Sequence, residues 1–278
     1  MNGRRAVVGL CMLCALLVSA FAAQSASAVT HKNGTTAVTC AESGVNPVGV
    51  ETFNTAHCLP GEGAGNFEHY KITEETTLSG QAGSATSKLK ATIAGTATTL
   101  TSTSLSGTGS MENKIGAGGE HVAHGTGTIT YSGVTVTPFT KCFVYEDLEP
   151  EVGAKGVVKT QKLTATTEGV PGGMGLKFQP AAGTAFARFW MGDAAGNMTT
   201  AGECKIAGTY TVSGSVIATP EGATAATTHE GVTAQNTLKM GTGEPTIKAG
   251  IEGSLTIEGK GASGGSQPLS VTTREETT

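Results

Sequence analysis

The residues of this 278-residue chain able to do chemistry are few in kind: six histidines, six cysteines, and twenty-two acids of which only Asp147 and Asp193 are aspartates. Gly261-Ala262-Ser263-Gly264-Gly265 has the spacing of a nucleophile elbow. Such an elbow needs a strand before it, a helix after it, and an acid and a histidine downstream, but no histidine or aspartate follows Ser263. Glu120-His121-Val122-Ala123-His124 could be taken for metal ligands. On an extended chain, positions three apart face opposite ways, so a solvated loop between glycines is the expectation. Cys40, His57, Cys58 and His69 could also bind zinc, yet the Cys40–Cys58 interval fits no zinc spacing and neighbouring His57 and Cys58 cannot easily turn to one ion. His57 and His69 could act as bases beside Glu51, Glu62 or Glu68, though no spacing selects a geometry and plain surface polarity is expected. Glu146-Asp147-Leu148-Glu149-Pro150-Glu151 could gather carboxylates around a hard cation, but a solvated turn is expected there too. Glycosidase carboxylate pairs cannot be chosen among twenty glutamates, and both glycine-rich phosphate loops are missing. No catalytic residue, metal or cofactor is therefore expected.

The segments that position these residues begin with Arg4-Arg5, an apolar run from Ala6 to Phe21 and the small-residue site Ala26-Ser27-Ala28, which read as a secretory signal peptide. The run is too short to span a bilayer, and no later stretch is long enough, so no membrane span is expected after cleavage. Removing residues 1–28 leaves sixteen Lys and Arg against twenty-two acids, a net charge of −6, and four cysteines. With no basic run, nucleic acid is not an expected partner. Four cysteines in an oxidising compartment imply two disulfides with three possible pairings. Cys40–Cys58 and Cys142–Cys204 are favoured, because each pair lies within one continuous stretch of pattern and neither crosses the other.

Forty-one glycines and 45 threonines with only 14% charged residues favour short strands and turns over helices. Ile206, Tyr210, Val212 and Val216 share one parity opposite Lys205, Thr209, Thr211, Ser213 and Ser215. Ile247, Ala249, Ile251, Leu255 and Ile257 likewise alternate with Lys248, Glu252, Ser254, Thr256 and Glu258. Similar segments occur at Lys88–Ile93, Gly127–Tyr131, Val134–Phe139, Val157–Thr166, Met174–Gln179 and Thr184–Met191. The pattern predicts an all-β chain: an antiparallel sandwich or a barrel-like domain of many short strands behind the signal peptide. The expected organisation is a signal peptide (1–28), a disulfide-containing N-terminal region (29–82), an antiparallel β domain (83–260) and a flexible tail (261–278). Trp190 is the only tryptophan, set in Phe186-Ala187-Arg188-Phe189-Trp190-Met191. Core packing is its expected role, and a sugar-stacking platform is the functional alternative.

The segments Gly107-Thr108-Gly109-Ser110, Gly125-Thr126-Gly127-Thr128-Ile129-Thr130-Tyr131-Ser132-Gly133, Leu163-Thr164-Ala165-Thr166-Thr167, Met174-Gly175-Leu176-Lys177-Phe178 and Gly208-Thr209-Tyr210-Thr211-Val212-Ser213-Gly214-Ser215-Val216 carry a resemblance. The chain resembles a group of secreted glycine- and threonine-rich β proteins that soil actinobacteria carry in many copies, over about Lys88 to the C-terminus. The group has no assigned activity, cofactor or catalytic residue to transfer, and it often has a cysteine where this chain has Val134. The expected role is that of an exported, secreted or cell-surface, non-catalytic β protein that binds or coats something outside the cell, cell-wall or extracellular polysaccharide included. The alternatives are a carbohydrate-binding module using Trp190, or a secreted hydrolase.

Overall fold

The computed structural model describes residues 36–42, 54, 65–72, 76–82, 86–115, 121–148, 151–170, 173–221, 224–227, 237–260 and 266–272. Among these residues there are strands and turns and no helix, and hence no helix long and apolar enough to cross a membrane. Residues 1–28, expected to be a signal peptide, and Cys58, His57 and Ser263 lie outside the described residues.

Two strands, β1 (Thr36–Glu42) and β2 (Phe67–Lys71), precede a meander whose long passes are mostly broken near the middle. Its strands are β3 (Thr76–Ala82) with β4 (Ser87–Ile93), β5 (Thr96–Ser102) with β6 (Ser104–Ile115), and β7 (His121–Ser132) with β8 (Thr135–Thr137). A hairpin, β9 (Phe143–Leu148) and β10 (Glu151–Lys155), follows. The meander resumes with β11 (Val158–Thr160) and β12 (Leu163–Val170), β13 (Gly173–Pro180) and β14 (Ala185–Gly192), and β15 (Gly208–Ser213) and β16 (Val216–Glu221). It ends with β17 (Thr224–Thr227), β18 (Lys239–Gly241) and the long β19 (Ile247–Lys260), before β20 (Ser266–Thr272).

All pairings are antiparallel, and they close on themselves. In one half of the meander the order β3-β6-β7-β12-β13-β16-β17-β19 returns to β3. In the other half β4-β5-β8-β9-β14-β15-β18-β19 returns to β4, with short β11 bridging β7 and β14. The result is an eight-stranded antiparallel barrel, the closed form of the two architectures that the alternation left open. Closure removes the exposed strand edges that a sheet this polar would otherwise present. Extra strands lie outside it: β10 on β9, and a layer in which β20 joins β19 to β1 and β1 carries β2. The stretch expected to be a flexible tail thus contains a paired strand, and β3, at the end of the expected N-terminal region, belongs to the barrel.

Side chains fill the barrel. Phe189, Met191, Val144, Tyr210, Leu238 and Met240 are buried in the main cluster, where the Phe189 and Tyr210 rings stack with centroids 5.7 Å apart. This aromatic pair is where the 204–220 alternation is anchored: Ile206, Tyr210, Val212 and Val216 are all buried, while Lys205 is exposed. A second cluster joins Ala37, Ile72, Met111 and Ala123. There the Asn113 carboxamide accepts the Ala37 N–H at 2.7 Å and donates to the Ala37 and Ile72 carbonyls, tying β1 to the barrel wall. Satisfying both an N–H and two carbonyls lets otherwise unpaired backbone be buried.

The β6–β7 hairpin shows why the chain is so rich in glycine. Gly109 stands opposite Gly127, and a Cβ on Gly109 would collide with the Thr126 carbonyl oxygen, while one on Gly127 would lie 2.6 Å from the Thr108 carbonyl oxygen. Only glycine permits this close coiling of the ribbon. Outward positions between these glycines are taken by Thr108, Ser110, Thr126 and Thr128. A membrane-spanning barrel carries an apolar band there.

Replacing Gly109 by valine should therefore cost about 3 kcal/mol or more, against under about 0.5 kcal/mol for Thr108→Ala on the outer face, as read by denaturant unfolding. An equal cost for the two would show that the ribbon does not need glycine.

Candidate functional site

The residues singled out by type and spacing are dispersed. His124 sits on β7 opposite Glu112, with Nδ1 3.7 Å from its carboxylate, and Lys114 pairs with the same Glu112 at 2.9 Å. No nucleophile accompanies them in that set. The Cys40 backbone on β1 pairs in register with that of His69 on β2, and its expected partner Cys58 lies outside the described residues. Glu146 and Asp147, expected in a solvated turn, instead belong to β9, whose edge neighbour is β10. No cluster of three or more metal-ligating side chains occurs among the described residues.

Two further groups of side chains are brought together. The Cys142–Cys204 disulfide joins the turn before β9 to the long loop between β14 and β15. The other end of that loop is organised by Asp193. One carboxylate oxygen accepts the Ala195 and Asn197 N–H groups at 3.0 and 2.9 Å, and the other accepts the Asn197 amide at 2.8 Å. These hydrogen bonds, the Asn197 side chain foremost, hold the Asp193 carboxyl below the ordinary range despite its burial. The Tyr145 hydroxyl donates to the Asp193 carbonyl at 2.7 Å, and burial, with the Asp193 charge second, raises the Tyr145 pKa. A Cβ at Gly202 would approach the Asp193 carboxylate to 2.5 Å, so this position must stay small. A carboxylate so fully engaged is a brace for the loop and is poorly set up as a proton donor, which needs a raised pKa.

On the outer wall beside this loop lies Trp190, in register with Tyr145 on one side and Thr209 on the other. Its neighbours Phe189 and Met191 are fully buried inside, so the tryptophan, at intermediate exposure, faces outward from the wall and does not belong to the core. The indole N–H donates to the Asp147 carboxylate at 3.0 Å, fixing the ring. Lys155, directly opposite Tyr145 in register, caps the Phe143 ring at 3.5 Å from its centroid. An immobilised, half-open indole next to a carboxylate and a hydroxyl has the groups to stack on and hydrogen-bond a polyol. Sequence spacing could not couple Trp190 with Asp147, since they are 43 residues apart.

Among the described residues the barrel interior holds small voids. One void of about 50 Å³ lies among Leu89, Leu100, Tyr131, Val158, Phe186 and Phe189, and one of about 60 Å³ lies beside Met111, Ala165 and Phe178. Each is far below the volume of an ordinary ligand site. The Tyr131 phenol at the first void has its pKa raised by burial. No protein-family model, curated protein or solved structure matches this chain.

The Asp193 brace has a defined pH signature. A carboxyl whose folded pKa lies below its unfolded value of 3.8 stabilises the fold fully above that value, and the contribution is lost as pH falls through the folded pKa. Asp193→Asn should thus be less stable than the wild type at pH 7, and the gap in Tm should narrow as the pH is lowered from 5 to 2. A gap independent of pH would show that the charge on Asp193 does not brace the loop. The disulfide encloses a 62-residue separation, so the paired Cys142→Ser/Cys204→Ser change should cost about 4 kcal/mol in denaturant unfolding.

Proposed function

We propose that this chain is an exported, non-catalytic β protein that acts outside the cell through the outer wall of its barrel, by binding or coating an extracellular polymer. The observation that carries the reading is the filled interior. Among the described residues the interior voids of about 50 and 60 Å³ are too small for a ligand of ordinary size, which favours contact through the outer surface or loops. Export is supported by the charged, apolar and small-residue succession of residues 1–28 and is compatible with the Cys142–Cys204 disulfide. A wall built of hydroxyl-bearing strands stays hydrated and makes many weak contacts to polyols, which suits adhesion to a hydroxylated surface.

A finer reading, a carbohydrate-binding module, is favoured by Trp190 held outward by Asp147. The mature protein should sediment with at least one of peptidoglycan, cellulose and chitin. Trp190→Ala should lower the bound fraction by about tenfold or more if the indole is the anchor of the contact. Sedimentation unaffected by the substitution would remove the Trp190 module while keeping a polymer-binding wall. Absence of sedimentation with all three would overturn polymer binding for these surfaces.

A further inference from the structure

Aromatic residues are scarce in this chain, yet three of them share one patch of the outer wall: Phe143 and Tyr145 on β9 and Trp190 on β14. Val144 and Met191 are fully buried inside the barrel, so their neighbours Phe143, Tyr145 and Trp190 point out of it. None of the three belongs to either core cluster. Tyr145 is buried on the outside, where its hydroxyl reaches the Asp193 carbonyl, whereas Phe143 and Trp190 keep part of their surface open. The register sets Tyr145 directly opposite Trp190 and Phe143 opposite Gly192. Phe143 and Trp190 are thus diagonal neighbours, about 7 to 8 Å apart between backbones.

Among the described residues β10 pairs with β9 alone and is an edge strand. A lysine on such an edge ordinarily keeps its ammonium in water, where it discourages pairing with another chain. Lys155 instead places its ammonium 3.5 Å from the centroid of the Phe143 ring. The backbone delivers it there. The β9–β10 register shifts between Val152 and Lys155, and Gly156 follows at φ +76°, so a bulge on one side and a left-handed glycine on the other aim Lys155 back over β9. A cation–π contact at an exposed site is weak, and favours the covered ring by only about two- to fivefold in population. Such a cover shields one face of Phe143 from water and yields to a group that stacks there more firmly.

We propose that Phe143 and Trp190 are two stacking subsites of one site for a neutral polysaccharide of pyranose rings, and that Lys155 is a displaceable cover over the Phe143 subsite. The proposal rests on the reading of Trp190 as a carbohydrate anchor, and it adds a second ring, the cover on that ring and the neutrality of the ligand. Stacking of pyranose C–H faces on aromatic rings needs no ionic partner. The charged groups that touch these two rings are engaged by the rings themselves, Asp147 by the indole N–H and Lys155 by the phenyl face. Thr209, directly opposite Trp190 on β15, supplies a hydroxyl beside the indole. Two platforms on neighbouring strands engage two sugars of one chain at once, which gives a polymer an advantage that a free monosaccharide lacks.

The test is affinity electrophoresis of the mature protein in gels containing hydroxyethyl cellulose or glycol chitin, both neutral pyranose polymers. Lys155→Gln should tighten binding by about two- to fivefold, because it uncovers the ring, and should leave Tm unchanged. Phe143→Leu, which keeps apolar bulk without a ring, should weaken binding by about fivefold or more. In the double variant the gain from Lys155→Gln should vanish, since no ring is left to uncover. The affinity of the wild type should change by less than about twofold between 50 and 200 mM salt. The proposal is overturned if Lys155→Gln weakens binding or leaves it unchanged, if its gain survives in the Phe143→Leu background, or if Phe143→Leu binds as the wild type does. Any of these outcomes, with Trp190→Ala still abolishing retardation, would keep the Trp190 anchor and remove only the Phe143 subsite. Failure of both the wild type and Lys155→Gln to be retarded by either polymer would also overturn the proposal, and sedimentation with insoluble wall polymers that persisted in that case would leave the broader function standing.

Discussion

The strand Ile247–Lys260 hydrogen-bonds to β18 and β4 over its first half and to β17 and β3 over its second, and with those ladders the meander becomes a closed barrel. Backbone N–H and C=O groups left unpaired in a sheet edge must be solvated, covered or paired with another chain. A chain with 5% aromatic residues and so much glycine has little apolar surface with which to cover an edge. Closure solves the problem through the backbone itself. It also sets the register of every neighbour, because one ring of antiparallel ladders leaves no strand free to slip without flipping its side chains between core and solvent.

With the ring closed, inside and outside take on opposite chemistry. The main core is built from ordinary branched and aromatic side chains around Phe189 and Tyr210. Around β6 and β7 glycine takes inward positions and the hydroxyl residues face out. An eight-stranded barrel has an interior just wide enough for side chains to fill, and this one is filled. The loops are made firm by separate devices, the Asp193 carboxylate at one end of the β14–β15 connection and the Cys142–Cys204 bond at the other.

Where large apolar residues alternate with polar ones, the strands were legible. The parity of Ile206, Tyr210, Val212 and Val216 matches their burial, and the Ile247–Ile257 alternation falls within a single strand. The turn at 214–215 that divides the first pattern into β15 and β16 was not visible, because the two strands keep one parity across it. The long β6–β7 hairpin was mostly missed for a different reason: Gly107, Gly109, Gly125 and Gly127 occupy the face where a period-two pattern would place apolar residues. Glu146 and Asp147 looked like a solvated turn because charge there is supported by tertiary partners, with Asp147 receiving the indole N–H of Trp190.

From the residues alone came the all-β class, the antiparallel alternation and, as the favoured one of three pairings, Cys142 with Cys204. These depend on local propensity, on parity within one strand and on the chain order of a few cysteines. The choice of barrel over sandwich and the outward hold on Trp190 came only from tertiary structure. Trp190 and the Asp147 carboxylate that holds it are 43 positions apart in the chain. They become neighbours because ring closure lays β9 and β14 side by side, and register between distant strands is decided by the packing of all of them together.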